Sequence, residues 1–275
     1  MTWVIKIGGS VREPDALLRD IAAAREHIVL VHGASRGLNE LSTRLGHPPR
    51  MVESGRGDVT RYTDATTMDH FLMAYAGLAN KRIVERLRRL GVNALGLCGL
   101  DGGIVSGRRR ADLRVVEDGR TRVLHDNHAG SIESVDARLL RLLLDAGYTP
   151  MLTPPIAAED GTAINADGDR LAAEVAIALA ADRLFIFADT PGILEDATDT
   201  SSVLPHIDDT APLDGFSGRV RPKLRAAQRA SARGVAGVVI AGAAGPTPLR
   251  DALAGSGTRV SGARLGGVAR QMHVV

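Results

Sequence analysis

The sequence has one cysteine, one tryptophan, three tyrosines and four phenylalanines in 275 residues. A lone Cys98 excludes an internal disulfide and any cysteine-rich metal centre, in agreement with a reducing compartment. The scarcity of aromatic side chains argues against a stacking platform for single-stranded nucleic acid. Long hydrophobic runs are missing too: residues 28–31 and 184–188 fall far short of the roughly 20 residues that a membrane span requires. The opening Met1-Thr2-Trp3-Val4-Ile5-Lys6 lacks the basic, apolar and small-residue regions of a signal peptide, so a cytoplasmic location is expected. Neither sign of charge dominates. With 34 Lys+Arg against 32 Asp+Glu, the net charge of +2 does not by itself imply nucleic-acid binding.

What is present is 44% apolar residues and 31 glycines, enough to build a substantial core. Short runs rich in Val and Ile alternate with longer segments of helical period, which predicts an α/β protein on a mostly parallel sheet. Strands are expected over residues 4–7, 28–31, 93–97, 149–153, 184–188, 238–241 and 258–260. Helices are expected over 14–27, 64–90, 137–146, 169–181 and 222–233, several of them stopped by glycine. The Arg-rich stretch 107–123, broken by Asp118-Gly119, reads as a β-hairpin. The chain is expected to form one domain over 1–260, divided into lobes of about 1–180 and 181–260, with a tail over 261–275.

Several residues could carry chemistry. Lys6 ends the first strand and precedes Gly8-Gly9-Ser10, where glycines let backbone N–H groups approach an anion and a lysine adds a point charge. The same segment also reads as a tight strand-to-helix turn. It is neither a P-loop nor a G-x-G-x-x-G turn. His32-Gly33-Ala34-Ser35-Arg36-Gly37 repeats the theme after the second strand. Asn165 and Asp169 flank a polar cluster where a strong helix begins, and capping is the simple account of it. Asp189-Thr190-Pro191-Gly192 reads as a turn or as a nucleotide-facing loop. Lys223 begins a helix, where an isolated lysine is usually solvated. His32, His125, His128 and His206 lack metal-ligand spacing, and Cys98 is expected to be buried rather than nucleophilic.

Together the segments at 4–10, 31–33, 99–103, 146–150, 165–169, 189–194 and 222–223 resemble, in order, those of the amino acid kinase superfamily. Within it they are similar to the branch that holds the acetylglutamate and LysW-aminoadipate kinases. The resemblance implies a three-layer αβα sandwich with a mostly parallel central sheet, the carbamate kinase-like fold, and transfer of the ATP γ-phosphoryl group to a side-chain carboxylate. It implies that Lys6 and Lys223 hold the transferred group with Asp169 orienting them, and that Gly8, Gly9 and Gly33 donate backbone N–H bonds to phosphate. Gly33, Ala34, Arg61 and Asn165 would grip the amino acid, and Asp189, Gly192 and Lys223 the nucleotide. Ala34-Ser35 stands where glycines are usual, and Arg219 replaces a glycine before the second lysine.

Arg61-Tyr62-Thr63-Asp64 resembles the carrier-dependent members, in which the amino acid hangs by its α-amino group from the C-terminal glutamate of a small acidic carrier protein. Arg108, Arg109, Arg110 and Arg114 would then face that carrier; a solvated hairpin face is the alternative account of the run. The implied cofactors are ATP and Mg²⁺, with magnesium held largely by the phosphates. A homodimer or larger homo-oligomer is expected, with no resident metal, nucleic acid or membrane. N-acetylglutamate kinase, and a nucleotide-binding regulatory protein without catalysis, are the competing functions.

Overall fold

The computed structural model describes residues 1–54, 59–117, 119–216 and 218–262; beyond its first two residues, the expected tail 261–275 lies outside them. In chain order the strands are β1 (Thr2–Ile7), β2 (His27–His32), β3 (Met51–Ser54), β4 (Val59–Arg61), β5 (Ala94–Gly96), β6 (Val105–Arg109), β7 (Leu113–Glu117) and β8 (Arg120–Leu124). They continue with β9 (Gly130–Val135), β10 (Thr149–Leu152), β11 (Ile156–Ala157), β12 (Ala163–Ile164), β13 (Arg183–Ala188), β14 (His206–Ile207), β15 (Gly237–Gly242) and β16 (Thr258–Val260). The helices are α1 (Asp15–Ala23), α2 (Ser35–Arg44), α3 (Ala65–Phe71), α4 (Asn80–Arg89), α5 (Arg138–Asp145), α6 (Gly168–Leu179), α7 (Val220–Ala232) and α8 (Pro248–Ala254).

The central sheet has eight strands in the order β14-β16-β15-β13-β1-β2-β10-β5, all parallel to their neighbours except the β15–β16 pair. Alternation along β1 sends Val4 to one face and Ile5 to the other. Val4, Val29, Leu184 and Ile240 meet Leu171 and Val175 of α6, Leu224 of α7 and Leu140 of α5. On the opposite face Ile5, Leu30, Phe185 and Val239 meet Leu17 and Leu18 of α1, Leu87 of α4 and Leu249 of α8. Two helical layers therefore cover a sheet buried on both sides, which is why its strands read as continuous apolar runs. No helix among the described residues is long and apolar enough to cross a membrane.

Two expectations need correction and one gains detail. The helix expected over 14–27 stops at Ala23, because the chain must reach His27 to pair with Thr2. The helix over 64–90 is one continuous run, but Leu72–Ala79 within it is π-helical, a form often found at functional sites. The stretch 107–123 is not one hairpin. β6 pairs with β9 and β11 in one four-stranded sheet, while β7 and β8 form a hairpin in a second sheet with β3 and β4. Gly107 and Gly130 decide this: a Cβ on either would lie 2.3 or 2.4 Å from a carbonyl oxygen of the partner strand, so β6 and β9 approach closely.

Candidate functional site

The parallel strands β1 and β2 end side by side, and their loops touch backbone to backbone. A Cβ on Gly9 would lie 2.7 Å from the Ser35 nitrogen and 2.8 Å from that of Ala34, and one on Gly33 3.0 Å from the Gly9 nitrogen. Only glycine permits this approach. Gly8 already donates its N–H to the Phe187 carbonyl at 2.9 Å, and Gly33 donates to that of Ile7 at 3.0 Å. The expectation that all three glycines present free N–H groups is thus narrowed to Gly9; Gly8 and Gly33 spend theirs on holding the loops. Ala34 needs no glycine, since its φ of −146° is ordinary backbone. Burial raises the pKa of the nearby Tyr75 phenol, and the Ala34 backbone opposes that rise.

Lys6 lies on the α6 face of β1 and is buried. Its Nζ is 2.6 Å from Asp169 Oδ1, in the first turn of α6. Lys223, in the first turn of α7, brings its Nζ to 3.3 Å from Asp169 Oδ2. Burial pushes the Asp169 carboxyl upward, but the two lysines overcome it and hold the pKa at about 2. Lys223 is pushed down by burial and by Lys6, and drawn back up by Asp169. Asp167 caps α6, accepting the Arg170 N–H at 2.7 Å, and its pKa is raised by burial and by Asp169. Buried Lys6 and partly buried Lys223 thus share the ionised Asp169 carboxylate, a pairing of cations that suits an anionic ligand.

Beside this cluster the Arg61 to Asp64 segment meets the start of α6. Asn165 Nδ2 donates to Thr63 Oγ1 at 3.2 Å, and Thr63 N–H donates to Asn127 Oδ1 at 3.1 Å. Arg61 Nη2 donates to Asn39 Oδ1 at 2.6 Å, whereas its Nη1 is buried with no hydrogen-bond partner among the described residues. A buried guanidinium nitrogen without an acceptor points to a ligand that supplies one.

Asp189, at the exposed end of β13, lines a cavity of about 630 Å³ with Ser10, Arg12 and Arg19. Gly192 lies in the loop that follows, where a Cβ would come 2.7 Å from Val203 and 2.8 Å from Thr258 Oγ1, so close loop contact accounts for it. The arginine run is dispersed. Arg108 Nε donates to Glu133 at 2.8 Å; Arg109 donates to Asp126 at 2.6 Å and to the Asn127 carbonyl at 2.9 Å. Arg110 lines a cavity of about 340 Å³ with Asp167, Arg170 and Arg225, and Arg114 belongs to the other small sheet. No group of three or more His, Cys, Asp or Glu side chains among the described residues could hold a metal ion.

Two residues support the loop from below: His32, which the sequence placed in the loop motif without a role, and Asn80, which it did not single out. His32 lies fully buried beneath the Gly33 loop, its Nδ1 3.3 Å from the Gly33 carbonyl and its Nε2 3.2 Å from Asn80 Nδ2. Burial lowers its pKa to about 4, so the ring is neutral, donating from Nδ1 and accepting at Nε2. Asn80 also donates to the carbonyls of Leu97 and Met151, both at 3.3 Å, tying α4 to the sheet under the loop. Their signal in the sequence is weak, because both act through partners far along the chain.

The Amino acid kinase family matches residues 1–242. A [LysW]-aminoadipate kinase of Deinococcus radiodurans is 45% identical over 94% of this chain and 91% of its own. An acetylglutamate kinase of Methanopyrus kandleri is 38% identical over 94% of this chain and 99% of its own. Among solved structures, Giardia carbamate kinase superposes with a TM-score of 0.66 at 16% identity, covering 95% of this chain and 98% of that one. The chain belongs to the amino acid kinase family and has its carbamate kinase-like fold.

Proposed function

We propose that the protein transfers the γ-phosphoryl group of MgATP to the side-chain carboxylate of an amino acid, of 2-aminoadipate or glutamate type, that is attached to a small acidic carrier protein. The observation that carries this reading is the pair of lysines, Lys6 and Lys223, sharing Asp169. An acceptor carboxylate with a pKa of about 4 is already ionised at neutral pH, so no general base is required. The obstacle is the approach of two anions. Lys6, Lys223 and the Gly9 N–H would offset their repulsion as charge moves onto the transferred group, with Asp169 holding both ammonium groups in place. Magnesium would arrive with the nucleotide phosphates, there being no carboxylate cage among the described residues.

The open Nη1 of Arg61 suits the carboxylate next to the attachment nitrogen, and Asn165, held by Thr63, suits the amide. Asp189 would face the nucleoside half. The greater identity to the carrier-dependent relative favours a carrier-bound substrate, for which Arg110 and Arg114 offer cations with no acidic partner among the described residues. The competing reading, N-acetylglutamate kinase, requires no protein partner. The two are separated by incubating the enzyme with ATP and either carrier-linked 2-aminoadipate or free N-acetylglutamate and trapping the acyl phosphate with hydroxylamine. Carrier-dependent product is expected; product from the free substrate alone would contradict the proposal.

A further inference from the structure

The N-terminus of α7 carries more positive charge than its lysine needs. Arg219 is its N-cap residue and Arg221 and Lys223 lie in its first turn, with no acidic residue in that turn. Cations there oppose the helix dipole, which favours anions at this end. Lys223 is balanced by Asp169, and Arg221 lies 3.7 Å from Asp214. Arg219 is exposed and has no carboxylate partner among the described residues. Placed four residues before Lys223, it shares the helix face that looks onto the transfer site. It lies within electrostatic reach of Arg61 and Tyr75: it adds to the lowering of the Arg61 pKa that burial causes, and opposes the rise that burial causes at Tyr75. Two guanidinium groups, one from β4 and one from α7, are therefore near enough to repel each other; the Nη1 of Arg61 has no acceptor and Arg219 no carboxylate partner among the described residues.

One carboxylate beside the reacting group does not satisfy two such cations. An amino acid joined through its amino group to a terminal glutamate presents more. The amide consumes one of the two carboxyls of that glutamate and leaves the other ionised, a short distance from the carboxylate of the amino acid itself. A free N-acetyl derivative has a methyl group at that point. We infer that Arg219 is a specificity-determining residue that receives the spare carboxylate of the carrier's terminal glutamate, while Arg61 receives the carboxylate of the attached amino acid. The inference rests on the carrier-bound reading and adds to it the residue that tells carrier-linked from free substrate at the point of linkage.

The test uses the whole enzyme and its Arg219→Gln variant with two substrates: carrier bearing 2-aminoadipate on its terminal glutamate, and the same conjugate with the spare carboxylate of that glutamate amidated. In the unaltered enzyme amidation is expected to lower kcat/KM about 10-fold to 100-fold, mainly through KM, as loss of a charge-assisted contact does. Arg219→Gln should handle both substrates at the lower value, with no further loss on amidation. Retention of the full amidation effect in the variant would overturn the inference. So would a rise in the KM for ATP matching that for the carrier, because Arg219 would then serve the nucleotide. Failure of the unaltered enzyme to phosphorylate either conjugate would instead refute the carrier-bound reading beneath it.

Discussion

Asn165 and Thr63 are 102 residues apart in sequence, yet the amide of one donates to the hydroxyl of the other at 3.2 Å. The bond ties the β4 end to the entrance of α6, so that the groups proposed to grip the amino acid are set against those proposed to hold phosphate. Thr63→Val removes the acceptor while keeping the shape. The KM for the amino acid substrate should rise with little change in that for ATP. The effects of Thr63→Val and Asn165→Ala should be non-additive by about 0.5–3 kcal/mol in a double-mutant cycle. Additive effects would mean that the two residues act separately.

Gly9 and Gly37 lie in neighbouring loop and helix but should respond oppositely to a methyl group. Gly9→Ala places carbon against backbone nitrogens on the facing loop, so about 1–3 kcal/mol of stability should be lost together with activity. Gly37 is exposed within α2, with nothing within 4 Å of its would-be Cβ. Gly37→Ala should raise stability by about 0.5–1 kcal/mol through helix propensity. Urea unfolding of both variants measures the contrast, and a Gly9→Ala protein as stable and active as the parent would refute the loop contact.

His32 makes a prediction about pH. Its folded pKa is about 4 against an ordinary 6.5, so the unfolded chain takes up a proton at a pH where the folded one does not. The resulting stabilisation is complete above about pH 6.5 and is lost as the pH falls toward 4, to the extent of about 3 kcal/mol. His32→Gln should lack this part of the acid limb. Stability measured at pH 7.5 and 4.5 should therefore fall less in the variant than in the parent, and equal falls would contradict the burial argument.

The dispersal of the arginines ranks their expected effects. Arg108 and Arg109 are engaged by Glu133 and Asp126, whereas Arg110 faces a cavity beside Asp167. Arg110→Gln should raise the KM for carrier-linked substrate more than Arg108→Gln does. The difference should shrink as salt screens exposed charges over about 10 Å at 0.1 M ionic strength. An equal effect of both substitutions on free and carrier-linked substrates would point to a general role in the fold.

Much of this was legible in the sequence, and the parts that were not share a cause. The central strands stood out because both faces of the sheet are covered, so runs such as Leu184 to Ala188 are apolar throughout. Lys6 stood out by the glycines that follow it and Asp169 by the polar cluster where α6 begins, but what joins them took the family resemblance to suggest. α2 was hidden by Gly37 in its first turn, which made 32–37 look like loop alone. The small sheets were misread because β6 finds its partner in β9, beyond β7 and β8, and nearest-neighbour pairing is the natural inference from spacing. The narrowed role of Gly8 and Gly33 likewise depends on carbonyls of other strands, Phe187 and Ile7, which no local pattern reveals.

The central claim is that Lys6 and Lys223, held by one aspartate, supply charge to the moving phosphoryl group, and Lys223→Ala tests it most directly. ADP formation at saturating substrates should fall about 10²-fold to 10³-fold, because the contact is worth most in the transition state, while the Kd for ATP measured by direct binding changes far less. Thermal unfolding of the same sample establishes that it is folded. Near-normal turnover by a folded Lys223→Ala protein, or a loss seen wholly as weakened ATP binding, would contradict the account.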